Sequence, residues 1–568
     1  MEDKLVQSEN QLRQTGAELL LSCLEQQGVE RIFGYPGGAV LPVFDALYEE
    51  RITNILMCHE QGSVHAAEGY AKATGKPGVV LVTSGPGATN VVTGIADAMS
   101  DSVPLVVITG QVATPGIGKD AFQEADVLGI TLPIVKNSYQ VRSLPDLPQI
   151  VSEAFEIATT GRKGPVVIDL PKDLTSIATT VQPTDVLTKK YQVPMTPSNL
   201  AIQRLMGWLK QAQKPVLLIG AGVISAQATA ELRELVNRYQ IPTVSTLLGL
   251  GSLPSHHPDF LGMGGMHGTY TANMALMEAD LLINIGSRFD DRLACSASEF
   301  APHAKIVHID IDAAEIGKVI PTDLAIVGDA RLALAQMLAY PVFAPPWEAW
   351  REVCRTRQQE YPLRYESSPT VIKPQAVIEQ VGKLTAGKAY VVTDVGQHQM
   401  WVAQYYPFTF PQQLITSGGL GTMGYGIPAG IGVKIAQPKA QVVVFVGDGG
   451  FQMTSQELAV LRQNNLDIKF VLMNNQSLGM VRQWQERFFN ERRSNSVGQM
   501  QPDFMKLAQA YGIFGCKLTD PKTLATDLTK ALSTKGPALI EVLICNQEHV
   551  LPMIPAGKAN DQMIGVSK

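Results

Sequence analysis

The sequence predicts an α/β protein built from three doubly wound parallel-sheet domains. Two observations carry this: short, wholly apolar runs recur along the chain, and helix-length stretches separate them. Buried strands joined by helices make parallel sheets, because a parallel pair needs a crossover long enough to hold a helix. Size supplies a third observation, since 568 residues divide into about three or four domains at about 100 to 200 residues each. A hydrophobic content of 45%, a charged content of 17% and 50 glycines fit a well-buried, loop-punctuated protein rather than a disordered or fibrous one.

The first block, residues 10–180, sets a helical stretch at 15–27 before the strands Gly78-Val-Val-Leu-Val-Thr83, Pro104-Leu-Val-Val-Ile-Thr109 and Pro165-Val-Val-Ile-Asp169. A Thr/Pro-rich passage, 179–198, has little periodicity and reads as a linker. The second block, 198–340, opens at Lys214-Pro-Val-Leu-Leu-Ile-Gly-Ala-Gly222 and continues through Ala279-Asp-Leu-Leu-Ile-Asn-Ile-Gly286, Ala304-Lys-Ile-Val-His-Ile-Asp310 and Leu324-Ala-Ile-Val-Gly-Asp329. The stretch 340–374, rich in proline, tryptophan and charge, reads as a second connection. The third block, 373–555, carries the strands Ala389-Tyr-Val-Val-Thr-Asp394, Gln441-Val-Val-Val-Phe-Val446 and Ile468-Lys-Phe-Val-Leu-Met473. Val79 to Gly87 and Val442 to Gly450 share a strand, a Gly-rich turn and a helix, so the first and third blocks form a weak internal repeat.

The net charge of −6 offers no basic excess to neutralise phosphates, which argues against a nucleic-acid partner. Six cysteines (Cys23, Cys58, Cys295, Cys354, Cys516, Cys545) lie scattered without CxxC spacing, so a reducing compartment is expected. The polar segment Met1 to Arg13 has no apolar signal core, and no apolar run approaches a membrane span. A cytoplasmic location and no membrane partner are expected.

The most specific signal lies in the third block. Asp448 ends one apolar run inside Gly447-Asp448-Gly449-Gly450, and the next run ends in Asn474-Asn475. The 24 residues from Gly450 to Met473 leave room for one helix, at 454–464, and a return strand, as a right-handed crossover requires. A carboxylate and an amide carbonyl then face one crevice beyond the strand ends, where open α/β sheets bind ligands. These hard oxygens suit a magnesium ion that keeps diphosphate oxygens as further ligands.

This GDG, spacer, NN pattern resembles the diphosphate-binding signature of thiamine-diphosphate (ThDP) enzymes. The resemblance implies pyrimidine-binding, central and diphosphate-binding domains in that order, with Asp448, Asn475 and Ser477 as magnesium ligands and Gly449 and Gly450 beside the diphosphate. Gly396, Gln397 and His398 are the expected phosphate donors. Gly421 opens the segment Gly421-Thr-Met423-Gly424-Tyr-Gly426, expected to begin a helix. Met423, 25 positions before Asp448, matches the residue that bends the cofactor. Glu60, in Cys58-His59-Glu60-Gln61, matches the glutamate that donates to the cofactor's N1′. Such glutamates reach into another subunit, so a homodimer or tetramer is implied.

Three further segments narrow the family. Met480-Val-Arg-Gln-Trp484-Gln, Gly286-Ser-Arg288-Phe-Asp-Asp-Arg292 and Asp120-Ala-Phe122-Gln123-Glu124 resemble the MVxQWQ, GxRFDDR and DAFQE segments of acetohydroxyacid synthases, the biosynthetic acetolactate synthases. That family condenses pyruvate with pyruvate or 2-oxobutyrate. It implies that Arg292 binds the acceptor's carboxylate, a task that suits a guanidinium fork. Trp484, Phe122 and Met266 would line the acceptor pocket, and Gln123 would lie beside the reacting centre. It also implies FAD, held by the middle domain near Gly220, Gly222, Met266, His267, Gly268, Thr269, Gly286, Arg288, Asp310 and Asp329, and leaves room for a small regulatory subunit.

Taken singly, each signal has a plainer reading. Gly396-Gln-His398 is then a turn, Glu60 a first-turn acid, RFDDR a surface ion-pair turn, and Met423 and Trp484 core residues; their joint occurrence decides against coincidence. Two departures from the family stand out. Ala113-Thr-Pro-Gly-Ile117 replaces a basic segment, and Gly450 stands where a serine is usual. Rival readings are an FAD-dependent pyruvate oxidase, an FAD-free catabolic acetolactate synthase, a nicotinamide dehydrogenase on the middle domain and a non-catalytic ThDP-fold binding module. The middle domain lacks the third glycine of GxGxxG, which weighs against the dehydrogenase.

Overall fold

A computed structural model of the chain describes residues 14–48, 52–184, 186, 191, 193, 195–498 and 500–568. The polar segment Met1 to Arg13, and with it the expected start of the first block at residue 10, lies outside the described residues, as does part of the 179–198 linker. The chain divides into two compact units. One holds the described residues of Met1–Gln192 with Gly419–Pro438 and Thr454–Leu466, and the other holds Val193–Gly418, Lys439–Met453 and Asp467–Lys568.

In the first unit, β1 (Gln14–Thr15) is followed by β2 (Arg31–Tyr35), β3 (Thr53–Leu56), β4 (Gly78–Val82), β5 (Leu105–Gln111), β6 (Asn137–Gln140), β7 (Pro165–Pro171) and β8 (Ala178–Thr179). Strands β2 to β7 form a six-stranded parallel sheet in the order β3-β2-β4-β5-β7-β6, and β1 pairs antiparallel with β8. The helix expected at 15–27 runs Gly16–Gln26, started by a reciprocal capping box between Thr15 and Glu18. The helix Glu60–Thr74 packs on the helix Gly426–Ala436 of the same unit at backbone contact. A Cβ on Gly432 would lie 1.8 Å from the Ala66 carbonyl oxygen, and one on Gly69 would lie 2.2 Å from that of Ala429, so only glycine fits either position.

The second unit holds two sheets. The middle one comprises β9 (Pro215–Ile219), β10 (Thr243–Ser245), β11 (Phe260–Met263), β12 (Leu281–Ile285), β13 (Lys305–Asp310) and β14 (Leu324–Val327) in the order β11-β10-β9-β12-β13-β14. The other comprises β15 (Tyr390–Thr393), β16 (Leu414–Ile415), β17 (Val442–Gly447), β18 (Lys469–Asn474), β19 (Phe514–Leu518) and β20 (Ala538–Leu543) in the order β16-β15-β17-β18-β20-β19. Counted from the first strand of each sheet, the first and third share the order 2-1-3-4-6-5, so the weak sequence repeat is a repeat of topology. The middle sheet reads 3-2-1-4-5-6 and is of a different kind.

Three local expectations change. The stretch 340–374 is not a bare connection, since it contains the helix Glu348–Glu360 packed on the middle domain. Trp347 and Trp350 are buried there and donate indole N–H groups to the carbonyls of Tyr239 (3.2 Å) and Pro215 (3.2 Å), while Arg351 pairs with Asp259 at 2.9 Å. The helix expected from Gly421 begins only at Gly426, because Gly421 (φ 73°) and Gly424 (φ 89°) adopt left-handed backbone. The crossover helix expected at 454–464 is broken: one helix spans Asp448–Thr454, a 3₁₀ turn covers Ser455–Glu457, and a second helix spans Leu458–Gln463.

Trp347→Ala should destabilise the protein by about 3 to 5 kcal/mol, the usual loss for truncating a buried aromatic. Denaturant unfolding checks this, and a loss under about 1 kcal/mol would return the segment to the status of a linker.

Candidate active site at the carboxyl edges of the sheets

In the third sheet the strand order reverses between β15 and β17, so the segments leaving those strands border the crevice where α/β sheets hold ligands. Asp394-Val-Gly396-Gln397-His398 leaves β15, and Gly447-Asp448 leaves β17. Register carries the next strand to the same edge, since Gly447 stands opposite Met473. Asp448 and Asn475 are thereby brought together; the Asp448 carboxylate accepts the side-chain amide of Gln501, and the backbone amides of Asn475 and Gly449 help to hold its pKa down. Asp448 is only 4% exposed. Burial pushes its pKa up to about 6 despite those hydrogen bonds.

The Asn475 amide has a fixed orientation. Its nitrogen donates to Gln397 Oε1 at 3.3 Å, and its oxygen accepts the Ser477 amide at 3.1 Å. The Ser477 hydroxyl is buried beside it with no partner. Asn474 instead donates to Glu541 (2.8 Å) and Gln501 (3.0 Å), a structural task. Gln397 also donates to Gln483 (2.8 Å) and to the Glu548 carbonyl (3.0 Å). His398 is buried, which lowers its pKa to about 4, and its Nε2 has no partner. A buried carboxylate, a buried hydroxyl and a buried ring nitrogen with unmet bonding capacity form the donor set that a hard cation and a diphosphate need.

Gly450 has a local cause. A Cβ there would lie 2.1 Å from Asp394 Oδ1, so the Asp394 carboxylate fills the space a serine side chain would enter. A Cβ on Gly447 would come within 3.1 Å of His398 Nδ1. Gly449 and Gly450 lie in the first turn of the helix that starts at Asp448.

In the first unit, Glu60 is the first residue of the helix Glu60–Thr74 and is half-buried. Its Oε2 accepts Asn90 Nδ2 at 2.9 Å, and a Cβ on Gly87 would stand 3.5 Å from Oε1. Gln123, in left-handed backbone (φ 63°), packs on Gly85, where a Cβ would lie 2.9 Å from the Gln123 Cβ. Glu60 and Gln123 therefore flank one turn, Gly85-Pro-Gly87, at the carboxyl end of β4. Phe122 is 88% exposed, so no residue of its own unit forms a pocket around it. The altered segment at 113–117 is anchored by Asp173, which accepts the Thr114 amide (2.9 Å) and hydroxyl (3.1 Å). Met423, between Gly421 and Gly424, is half-buried.

In the second unit, Arg292 and Met266 are neighbours: Arg292 Nη1 is 4.0 Å from the Met266 sulfur, and the Met266 amide donates to the Arg292 carbonyl at 2.7 Å. Asp290 accepts the amides of Arg292 (3.1 Å) and Leu293 (3.0 Å) and so holds the turn that presents the guanidinium, which is 62% exposed and 3.7 Å from Asp291. Phe289 is a core residue, edge-on to Phe300 and His308. Trp484 is half-buried on the helix Gly479–Phe488 and packs on Phe488, one turn later, at 5.3 Å between ring centroids. A cavity of about 350 Å³ bounded by Tyr361, Arg364 and Glu548 includes none of these residues.

At the middle sheet's reversal point, between β9 and β12, the Gly220 and Gly222 amides donate to Ile285 and Gly286 carbonyls at 3.0 Å each. A Cβ on Gly220 would lie 2.1 Å from the Gly286 oxygen. These glycines serve backbone packing, and their amides are already engaged. Thr269 caps the helix Tyr270–Glu278, and Asp329 caps Ala330–Leu338 by accepting the Arg331 (2.9 Å) and Leu332 (3.1 Å) amides. Asp310 accepts the Asp312 amide at 2.9 Å. A Cβ on Gly268 would lie 2.3 Å from the Met263 oxygen. His267 is buried, its pKa is lowered to about 4 by burial, and Nδ1 has no partner. Arg288 is half-buried and takes no partner among the described residues.

Gln501, Asp394 and Asn90 were not legible as site residues in the sequence, because they come from distant segments or act through single side chains. Only the excess of polar side chains near strand ends hints at them.

Comparison with known proteins agrees with this geometry. Residues 14–130 match the thiamine pyrophosphate enzyme N-terminal TPP binding domain, 202–337 the central domain, and 394–542 the C-terminal TPP binding domain. An acetolactate synthase large subunit from Lactococcus lactis is 54% identical over 97% of this chain and 96% of its own length. The isozyme 3 and isozyme 2 large subunits of Escherichia coli acetolactate synthase are 46% and 45% identical, each over 97% of this chain and over 98% and 99% of their own lengths. With the glycine-lined crevice of the third sheet and the paired Asp448 and Asn475 already in place, these matches show that the chain belongs to the thiamine pyrophosphate enzymes and, among them, to the acetolactate synthase large subunits.

Proposed function

We propose that this chain is the catalytic subunit of a biosynthetic acetolactate synthase. It joins two molecules of pyruvate, or pyruvate and 2-oxobutyrate, with loss of carbon dioxide, giving 2-acetolactate or 2-aceto-2-hydroxybutyrate, the first common step of branched-chain amino-acid biosynthesis. The observation that carries the reading is the buried Asp448 carboxylate brought together with Asn475 at a sheet reversal point, in a chain similar along nearly its whole length to acetolactate synthase large subunits.

When bound, thiamine diphosphate supplies the electron sink that decarboxylation needs. Asp448, Asn475 and Ser477 would hold Mg²⁺, with Ser477 contributing its unpartnered hydroxyl. Gln397, His398, Gly396, Gly449 and Gly450 would border the diphosphate, and Gly421 would let the backbone come close while Met423 would separate the two rings. Glu60, steadied by Asn90, holds a proton at the pyrimidine N1′, and Gln123 sits on the same turn. Arg292 takes the acceptor's carboxylate, and Met266, Trp484 and Phe122 surround its alkyl group. The exposed ring of Phe122 is then covered by a second copy of the chain, which makes a homodimer, or a tetramer of such dimers, the active unit.

His267 and Arg288 have unmet hydrogen-bonding groups and fit an FAD bound to the middle domain beside Gly220, Gly222 and Gly286, with Asp310 near it. Thr269 and Asp329 fit less well, because both already act as helix caps. This reading keeps domains at 10–180, 198–340 and 373–555, a cytoplasmic location and association with a small regulatory subunit. Among the described residues no helix is long and apolar enough to cross a membrane.

Asp448→Ala should abolish magnesium-dependent binding of thiamine diphosphate while leaving the fold, in a titration followed by circular dichroism. In the wild type, where burial holds this carboxyl near a pKa of about 6, the metal needs the anion. Affinity should therefore fall about tenfold per unit as pH drops below that value. Unchanged affinity in the variant would place the metal elsewhere.

Trp484→Leu should lower the preference for 2-oxobutyrate over pyruvate about tenfold, because one methylene in a formed apolar pocket is worth about 1 to 3 kcal/mol. Arg292→Ala should weaken use of both acceptors alike. A competition assay with the two 2-oxoacids reads both effects, and an unchanged product ratio in the Trp484 variant would make this tryptophan a structural residue.

A further inference from the structure

Glu457 is 0% exposed, and its carboxylate is directed at the turn that carries Glu60. Its Oε2 accepts the Cys58 amide at 2.9 Å, while Oε1 is buried without a hydrogen-bond partner. Cys58 immediately precedes His59, the N-cap of the helix Glu60–Thr74. His59 is extended (φ −151°, ψ 146°), and its Nδ1 accepts the Gln61 amide at 3.1 Å. The backbone at this helix start is thus held from two sides, by the imidazole of His59 on the Gln61 amide and by the carboxylate of Glu457 on the Cys58 amide just outside the helix. The negative charge also lies where the helix dipole favours it.

Two features of the chain make room for this contact. Gly62 lies one turn into the helix, and a Cβ on it would stand 2.3 Å from Glu457 Oε1, so a side chain at 62 would collide with the carboxylate. Glu457 itself ends the 3₁₀ turn Ser455–Glu457, which follows the break at Thr454 (φ −136°). The Thr454 hydroxyl anchors that break by donating to the Gly424 carbonyl at 2.9 Å. The interrupted crossover therefore has a consequence at the other end of the unit's main helix: it delivers a buried carboxylate to the backbone that precedes Glu60.

We infer that Glu457 is a positioning residue for Glu60. It fixes the turn Cys58-His59-Glu60 by accepting the Cys58 amide, so that the Glu60 carboxylate, held at its tip by Asn90, is presented in one orientation. The inference rests on the reading of Glu60 as the group that hydrogen-bonds to the pyrimidine N1′ of the cofactor. A glutamine at 457 puts a buried NH₂ either at the Cys58 amide, which then loses its acceptor, or in the place of Oε1 beside Gly62, where no acceptor meets it, so a buried donor is left unsatisfied and the turn loosened.

The test uses the full-length enzyme saturated with thiamine diphosphate and Mg²⁺ and reads the exchange rate of the cofactor's C2 proton alongside acetolactate formation. Glu457→Gln should slow exchange by on the order of tenfold to a hundredfold, the range a small misplacement of a catalytic group produces, with cofactor affinity and the KM for pyruvate near wild type. Glu60→Gln should slow it further. The double variant should be no slower than Glu60→Gln alone, since Glu457 acts only through Glu60, whereas a general weakening of the fold would add a separate loss. Wild-type exchange in Glu457→Gln, or a double variant slowed by the product of the two single effects, would overturn the inference. Wild-type exchange in Glu60→Gln would instead remove Glu60 from the reaction, whatever Glu457 does. Should Glu457→Gln fail to fold, Gly62→Ala, whose methyl displaces the same carboxylate, carries the test with the same expected slowing, and exchange at the wild-type rate there would equally overturn it.

Discussion

A parallel sheet whose strand order reverses leaves a crevice beyond its carboxyl edge, and what fills that crevice decides what the domain can do. In this protein the deciding feature is the buried carboxylate of Asp448, which accepts the side-chain amide of Gln501. A carboxylate this far from water is costly unless charge or hydrogen bonds compensate. Its neighbours compensate in part, and burial still pushes its pKa up to about 6. A cation would supply the balance, at an edge where Asn475, Ser477 and Gln397 are buried and oriented by one another.

The three sheets use their reversal points differently. In the first, between β2 and β4, the chain closes on itself: a Cβ on Gly37 would lie 2.5 Å from the Thr83 side chain, and the Ala39 amide donates to the Thr83 hydroxyl at 3.2 Å. In the middle sheet Gly220 and Gly222 lie against Gly286 with their amides engaged. The third combines glycine-lined backbone with the buried, unpartnered Ser477 hydroxyl and His398 Nε2 beside a buried carboxylate. The first sheet contributes chemistry from beside its edge instead, where Glu60 and Gln123 flank the Gly85-Pro-Gly87 turn. The shared topology of the first and third sheets and their divergent chemistry fit one fold used for two halves of a single cofactor.

Much of this was legible in the sequence because its determinants are local. Apolar runs such as Gly78 to Val82 and Val442 to Gly447 are wholly or nearly wholly buried strands, and the spacing from Asp448 to Asn475 forced both onto one edge. What was not legible depends on contacts between distant segments. Gln501 reaches Asp448 from 53 residues away, and nothing near either residue announces it. The departure at Gly450 looked like a lost hydroxyl, yet the cause is the carboxylate of Asp394 on a neighbouring strand's exit. The tryptophans at 347 and 350 read as linker because their periodicity is that of a single short helix among prolines, while their burial comes from the middle domain. Thr269 and Asp329 matched a cofactor-binding pattern, but helix capping uses the same residue types.

We propose that Glu60 of one chain and Asp448 of another complete one active site. Subunit complementation tests it most directly. Glu60→Gln and Asp448→Ala, each of low activity alone, are mixed under conditions where subunits exchange, and acetolactate formation is followed with thiamine diphosphate and Mg²⁺ present. Half of the dimers should then be mixed, each with one intact site of two, so the account predicts recovery to about a quarter of wild-type activity. No recovery, with exchange verified by mass, would place both residues within a single chain's site and contradict it.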